Sequence, residues 1–197
     1  MSLAVEEGKA WYIPVGHRSE DAAPHLSRDQ VITALRSLLE DPALSLVGQN
    51  SKYDIMVLAQ YELWPRNLAG DTMLASYLLN PSKRHNLNDL AWEHLQYRML
   101  TYEAVTDNGK KNFAEVPVAE ATRYSGEDAD ITLRLAHRLF PRVQEEGMGA
   151  LFNEIEVPLA SVVARMELAG IRVDLDLLAS LSAEFGQRQR ELEEEIY

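Results

Sequence analysis

Apolar positions in this chain fall first into short, strand-like runs and later into long stripes of helical period. Ala10-Trp11-Tyr12-Ile13-Pro14-Val15 is aromatic and β-branched and predicts a strand. Residues 16–26 form a polar loop with Pro24. Ser27 with Gln30 spells a capping box, and Val31, Leu35, Leu38 and Leu39 lay one apolar stripe on the helix behind it. Leu44-Ser45-Leu46-Val47-Gly48 predicts a short strand closed by glycine, and Asn50 or Ser51 then caps a helix to about Tyr61. The stretch 68–80 carries another helix, begun near Asp71, that buries Met73, Leu74, Tyr77 and Leu78; Asn86 caps the next, from Leu87 to Leu95. Residues 101–115 are polar around Asn108-Gly109-Lys110-Lys111 and predict a mobile loop. One long helix runs from Val118 to about Val143. Beyond residue 150, a helix spans 154–168 despite Pro158, residues 169–174 read as a turn and short strand, and a charged helix fills 175–197. Strands come before helices, and helices dominate the second half, an α/β or α+β layout.

Composition narrows the classes. A chain of 197 residues holds one full core, or one domain and part of another. No apolar run approaches the ~18 residues of a membrane span, and no secretory signal opens the chain, so a cytoplasmic location is expected. Met1-Ser2-Leu3 looks like a start codon with an appended cloning remnant. The absence of cysteine excludes disulfides and thiolate metal sites. A net charge of −12 argues against a broad basic face on a phosphate backbone. It leaves either simple solubility charge or a local metal-dependent pocket, where carboxylates are required.

The chemistry concentrates in two places. In Arg123-Tyr124-Ser125-Gly126-Glu127-Asp128, the phenol of Tyr124 and the carboxyl of Asp128 lie four residues apart and share one helix face. A carboxylate can hold a divalent metal while a phenol one turn away orients a water. In Gln49-Asn50-Ser51-Lys52-Tyr53-Asp54, a strand end and a helix start place Asp54 in a first turn, where the helix dipole favours negative charge. Seen alone, this second stretch is equally an ordinary capping cluster. His17, His25, His85, His94 and His137 show no metal-ligand spacing.

Together these motifs resemble the 3′–5′ exonuclease domain of bacterial DNA polymerase I, within the DEDD exonucleases. Residues 49–54 look like the second exonuclease motif and 124–128 like the third, in its tyrosine-bearing version. Asp71-Thr72-Met73-Leu74-Ala75-Ser76-Tyr77 and Arg84-His85-Asn86-Leu87-Asn88-Asp89-Leu90 are also similar to that family. The resemblance implies a ribonuclease H-like exonuclease fold over 1–150, and the beginning of a polymerase thumb over 151–197. It also implies two-metal hydrolysis of a DNA 3′ end. Asp128 would bind one cation and Asp54 would support the other, Mg²⁺ or Mn²⁺ with Zn²⁺ as an alternative. Tyr124 would orient the water, Tyr102 would stack on the terminal base, and Gln49, Asn50 and Arg84 would contact phosphate or sugar. Asp71 is expected to cap a helix or support the site from behind.

Such a site needs two further carboxylates, a D-x-E on the first strand, and this chain contains no D-x-E triplet. The expectation is therefore an N-terminally truncated domain whose first strand here corresponds to the family's third. Glu6 and Glu7 cannot substitute, because neighbours on a strand point to opposite faces. The chain alone should bind metal weakly and be inactive or nearly so. Single-stranded DNA is the expected partner of the parent protein, with no membrane and a monomeric state. Two rivals remain open: a vestigial exonuclease-like platform, and an RNA-processing exonuclease of the same superfamily.

Overall fold

A computed structural model describes residues 1–18 and 26–197; most of the loop expected over 16–26, including His25, lies outside the described residues. It divides into two compact units, Met1–Arg165 and Met166–Tyr197.

The first unit opens with a hairpin of β1 (Ser2–Glu6) and β2 (Lys9–Tyr12), paired antiparallel with Ser2 opposite Tyr12. Ser2 and Leu3 are thus part of a strand that the sequence pattern left out. Gly8 turns the hairpin at φ 81°, a backbone region that suits glycine. Helix α1 (Arg28–Leu39) starts at the expected Ser27–Gln30 capping box. A βαβ unit follows: β3 (Leu46–Gly48), α2 (Ser51–Ala59) and β4 (Leu68–Asp71), with β3 and β4 parallel and Gly48 opposite Asp71. Residues 68–71 are therefore a strand that the sequence pattern did not show, and the expected helix begins directly after Asp71.

Helices α3 (Thr72–Leu79) and α4 (Leu87–Leu95) come next, the latter capped by Asn86 as predicted. The expected loop over 101–115 instead contains a helical turn, α5 (Tyr102–Val105), capped by Thr101, and a 3₁₀ turn over Phe113–Glu115. The organising element is α6 (Val118–Glu145), which packs against both hairpin strands, β3, β4, α3, α4 and α5. Its residues Ile131, Leu135, Leu139 and Val143 form the main core with Ala75, Leu90 and Phe152. Gly70 lets β4 approach α6 closely, since a Cβ there would collide with the Phe140 ring. A satellite core joins Val31, Leu35, Leu39, Leu58 and Leu63.

Before Val157 the chain takes a widened π turn over Leu151–Glu156, and then becomes α7 (Val157–Ala169). Pro158 accounts for this. It offers no N–H and crowds the carbonyl four residues back, which a wider turn relieves.

The second unit holds the end of α7 and α8 (Leu175–Ile196), which Asp174 caps through Leu177 N–H at 3.0 Å. The short strand expected near 171–173 is absent. Gly170 ends α7 with φ 69°, and Ile171 is 90% exposed with no strand to pair with in this unit. Among the described residues, no helix is long and apolar enough to cross a membrane.

Candidate active site

The first wall of the site is the N-terminal half of α6. Tyr124 and Asp128 share its face as the spacing predicts, and the phenol hydrogen-bonds the carboxylate. Desolvation and the neighbouring charge of Asp128 push the Tyr124 phenol up to about 12. At neutral pH it is therefore a hydrogen-bond donor and not a base. Asp128, half-buried, rises to about 6, chiefly through desolvation and then through repulsion from Glu127, while the bond from Tyr124 opposes the rise. On the opposite side of the helix, a Cβ at Gly126 would lie 3.6 Å from that of Ala10, where α6 packs on β2.

Glu127 anchors the neighbouring segment. Its carboxylate accepts from the Tyr97 hydroxyl at 2.8 Å and from Leu100 N–H at 2.6 Å. That places the Thr101-capped start of α5 beside α6. The Tyr102 ring consequently stands edge-on to Tyr124, with ring centres 6.3 Å apart. Phe113, from the 3₁₀ turn, adds a third ring, 6.1 Å from Tyr102 and 5.8 Å from Tyr124. The sequence reading missed Phe113. The Asn112-x-x-Glu115 capping box that fixes its turn was a legible signal for it.

The second wall is the turn between β3 and α2. Asn50 sits in the left-handed region at φ 60° and its side chain makes no capping bond, contrary to one expectation for it. The capping work falls to Asp71, only 1% exposed. Its Oδ1 accepts from Asn50 N–H at 3.2 Å, Met73 N–H at 2.8 Å and Leu74 N–H at 3.3 Å, and its Oδ2 from Ser51 N–H at 2.6 Å. One buried carboxylate therefore receives the starts of both α2 and α3, where unpaired N–H groups and helix dipoles converge. Asp54 projects from the first turn of α2 at an exposed position, yet surrounding protein and then the charge of Asp71 raise its carboxyl to about 6.

Gln49 is occupied within the protein. Its side-chain N–H donates to the His85 carbonyl at 2.8 Å, and its Oε1 accepts from the Thr72 hydroxyl. This strut holds the loop carrying Arg84, which is itself exposed and makes no hydrogen bond or ion pair among the described residues. The structure thus brings together Tyr124, Asp128 and Tyr102, and separately ties Gln49, Asn50 and the Arg84–His85 backbone around α2 and α3. Strand β3, which leads to Asp54, packs against α6.

Asp54 and Asp128 suit a hard divalent cation in kind. Both are oxygen donors whose charge is disfavoured by their surroundings, a cost that a bound cation would relieve. In number they fall short, since no group of three or more His, Asp or Glu side chains able to hold a metal assembles among the described residues. Glu6 and Glu7 are engaged elsewhere, with Lys9 and with His137, each at 2.7 Å.

The family model described as 3′–5′ exonuclease matches residues 1–144. DNA polymerase I of Pseudomonas aeruginosa is 38% identical over 203 residues, covering 100% of this chain and 22% of that protein. DNA polymerase I of Chloroflexus aurantiacus is 39% identical over 202 residues, covering 100% of this chain and 21% of that protein. The chain spans about a fifth of the length of these relatives. Among solved structures, the POL domain of Pol1 from M. smegmatis, in complex with DNA primer-template and dNTP, superposes with a TM-score of 0.69 at 28% identity, over 84% of this chain and 26% of that one. Brucella melitensis NrnC with bound Mg²⁺ shares the fold at a TM-score of 0.56 and 21% identity, over 81% of this chain and 71% of that one.

Proposed function

Because the chain belongs to the 3′–5′ exonuclease family of bacterial DNA polymerase I, we propose that it forms most of a proofreading domain, removing 3′-terminal nucleotides from DNA in its parent polymerase. The observation that carries this reading is the hydrogen-bonded Tyr124–Asp128 pair on α6, the helix against which the Asp54-bearing βαβ unit packs. On this reading residues 1–150 belong to the exonuclease domain and 151–197 begin the polymerase thumb. The protein works in the cytoplasm on a single-stranded 3′ end. Such ends are selected because unpairing a correct terminus costs stacking and pairing energy, which is lower at a mismatch.

Each residue then has a defined task. Asp54 and Asp128 would hold divalent cations, Mg²⁺ or Mn²⁺, which when bound stabilise charge on the transferring phosphate. Tyr124, a donor whose own acceptor oxygen remains available, orients the attacking water without removing its proton. Tyr102 presents a ring to the terminal base, and Arg84 reaches the phosphate or sugar. Gln49 serves as a strut, and Asn50 contributes its left-handed turn and an exposed side chain. With two carboxylates and no D-x-E triplet, the 197-residue polypeptide alone is expected to hold metal weakly and to cut DNA slowly or not at all.

The test compares the parent polymerase with its Asp128→Ala variant on a labelled single-stranded oligonucleotide and Mg²⁺ or Mn²⁺. Stepwise shortening by the parent that disappears in the variant supports proofreading. No Asp128-dependent shortening would mean a non-catalytic platform. Robust shortening by the isolated 197-residue chain would overturn the predicted weakness of that fragment.

A further inference from the structure

We propose that Phe113 is a positioning residue that sets the Tyr102 and Tyr124 rings relative to each other, and so governs both the grip on the terminal base and the aim of the water-orienting phenol. The proposal rests on the exonuclease reading above. Three rings from three separate elements meet here: Tyr102 from α5, Phe113 from the 3₁₀ turn and Tyr124 from α6. Phe113 lies nearly parallel to Tyr102, at 15°, and tilted by 59° to Tyr124. Each ring is within aromatic contact range of the other two. Phe113 carries no polar atom, so it acts on the reaction only through its neighbours.

Its own placement is firm. The turn is closed by the Asn112–Glu115 capping box, and the Ala114 carbonyl accepts from Arg18 N–H at 2.7 Å. The Val116 carbonyl accepts from His17 Nδ1 at 3.0 Å. A carbonyl can only accept, so Nδ1 carries the hydrogen, and Nε2 accepts from the Tyr12 hydroxyl at 2.6 Å. His17, 8% exposed, thereby ties the Phe113 turn to strand β2. By contrast α5 is four residues long, too short to hold itself rigid. Phe113 stacks beside Tyr102 with a lateral offset, and Tyr102, 47% exposed, keeps ring surface for a base. A fixed ring thus backs a mobile one.

The experiment uses the parent polymerase with Phe113→Leu, Phe113→Met and Phe113→Tyr, each normalised to active enzyme by primer extension. Steady-state excision is measured on single strands ending either in a normal nucleotide or in an abasic one. With a normal end, Phe113→Leu and Phe113→Met should raise KM and lower kcat, each by about fivefold. With the abasic end only the kcat loss should remain, because Tyr102 then has no base to hold. Phe113→Tyr, which keeps the flat ring, should restore both constants to within about twofold. Unchanged constants, or a kcat loss of equal size on both ends with KM unmoved, would overturn the proposal. An enzyme whose excision survives Asp128→Ala instead overturns the exonuclease reading itself.

Discussion

Removing the buried carboxylate of Asp71 should cost more stability than any other single polar truncation discussed for this chain. Four backbone N–H groups point at it, two from the start of α2 and two from the start of α3. A hydrogen bond to a charged group contributes about 1.5–3 kcal/mol net, and a buried donor left unpaired costs about 1–3 kcal/mol. The four are not additive, because one oxygen serves three of them and helix starts can shift toward water. We therefore expect Asp71→Ala to lose about 3–5 kcal/mol, a large part of the ~5–15 kcal/mol typical of a domain. Asp71→Asn is a sharper probe. Its amide oxygen can replace Oδ1 and keep three acceptances, whereas its NH₂ would face Ser51 N–H, donor to donor, where Oδ2 accepts at 2.6 Å. That change should cost about 1.5–3 kcal/mol. Relief of the repulsion on Asp54 offsets little of it, since solvent screens that exposed carboxylate. Urea unfolding followed by circular dichroism gives both values, and an unchanged m-value keeps the comparison two-state. Carbon-13 titration of the Asp54 carboxyl should show its midpoint falling in Asp71→Asn. If Asp71→Ala lost less than about 1 kcal/mol, the convergence of two helix starts on this side chain would be energetically empty and the reasoning refuted.

Other expectations follow from the same contacts. Asp128 is raised to about 6 in the fold from an ordinary 3.8, so the folded state binds the proton more tightly than the unfolded one. Stability from this group is present below the unfolded value and lost as pH rises through about 6; Asp128→Asn should therefore stabilise the metal-free chain more at pH 7.5 than at pH 4.5. Two pH units set a ceiling of about 3 kcal/mol, which partial solvent screening lowers to about 1–2; melting curves in EDTA at both pH values test the sign. Gly70→Ala should cost roughly 1–3 kcal/mol by forcing the Phe140 ring aside, read from the urea midpoint. Glu127→Gln should weaken both the Tyr97 and Leu100 bonds, seen as faster amide exchange at Leu100 with little change in α6. On the proposed reading, Tyr124→Phe in the parent polymerase should slow excision about 10- to 100-fold, less than Asp128→Ala, because it would remove an orienting bond and not a metal ligand.

Much of the framework was written in local chemistry that a sequence displays. The Ser27–Gln30 box and the Asn86 cap involve residues three apart and appear as predicted, and α6 runs close to its expected bounds. The pieces that were not legible depend on distant partners. Leu68-Ala69-Gly70-Asp71 has little strand propensity and becomes β4 only by pairing with β3 and lying close on α6. Tyr77 was expected inside but is 54% exposed. Helix α3 instead buries Thr72, Ala75 and Ser76, since close approach to α6 admits only small side chains. In the site, Tyr124 and Asp128 could be paired from their spacing. The task of Gln49 could not, because its partners, Thr72 and the His85 carbonyl, lie far along the chain. Asp71 was legible as a cap for its own helix, but its service to α2 required the parallel strand pair.

The position of α6 has a consequence for how the protein moves. Both hairpin strands, β3, β4, α3, α4 and α5 rest on this one helix, so opening the first unit around Tyr124 and Asp128 would separate several packed elements at once. The backbone of that wall should exchange its amides only through global unfolding, while the four-residue α5 opens locally and often. On the proposed reading, a DNA end would be admitted by side-chain and loop rearrangement at the rim, on nanoseconds to microseconds, and not by slow domain closure. On the proposed reading, such a rim would leave the timing of excision to the arrival of an unpaired strand.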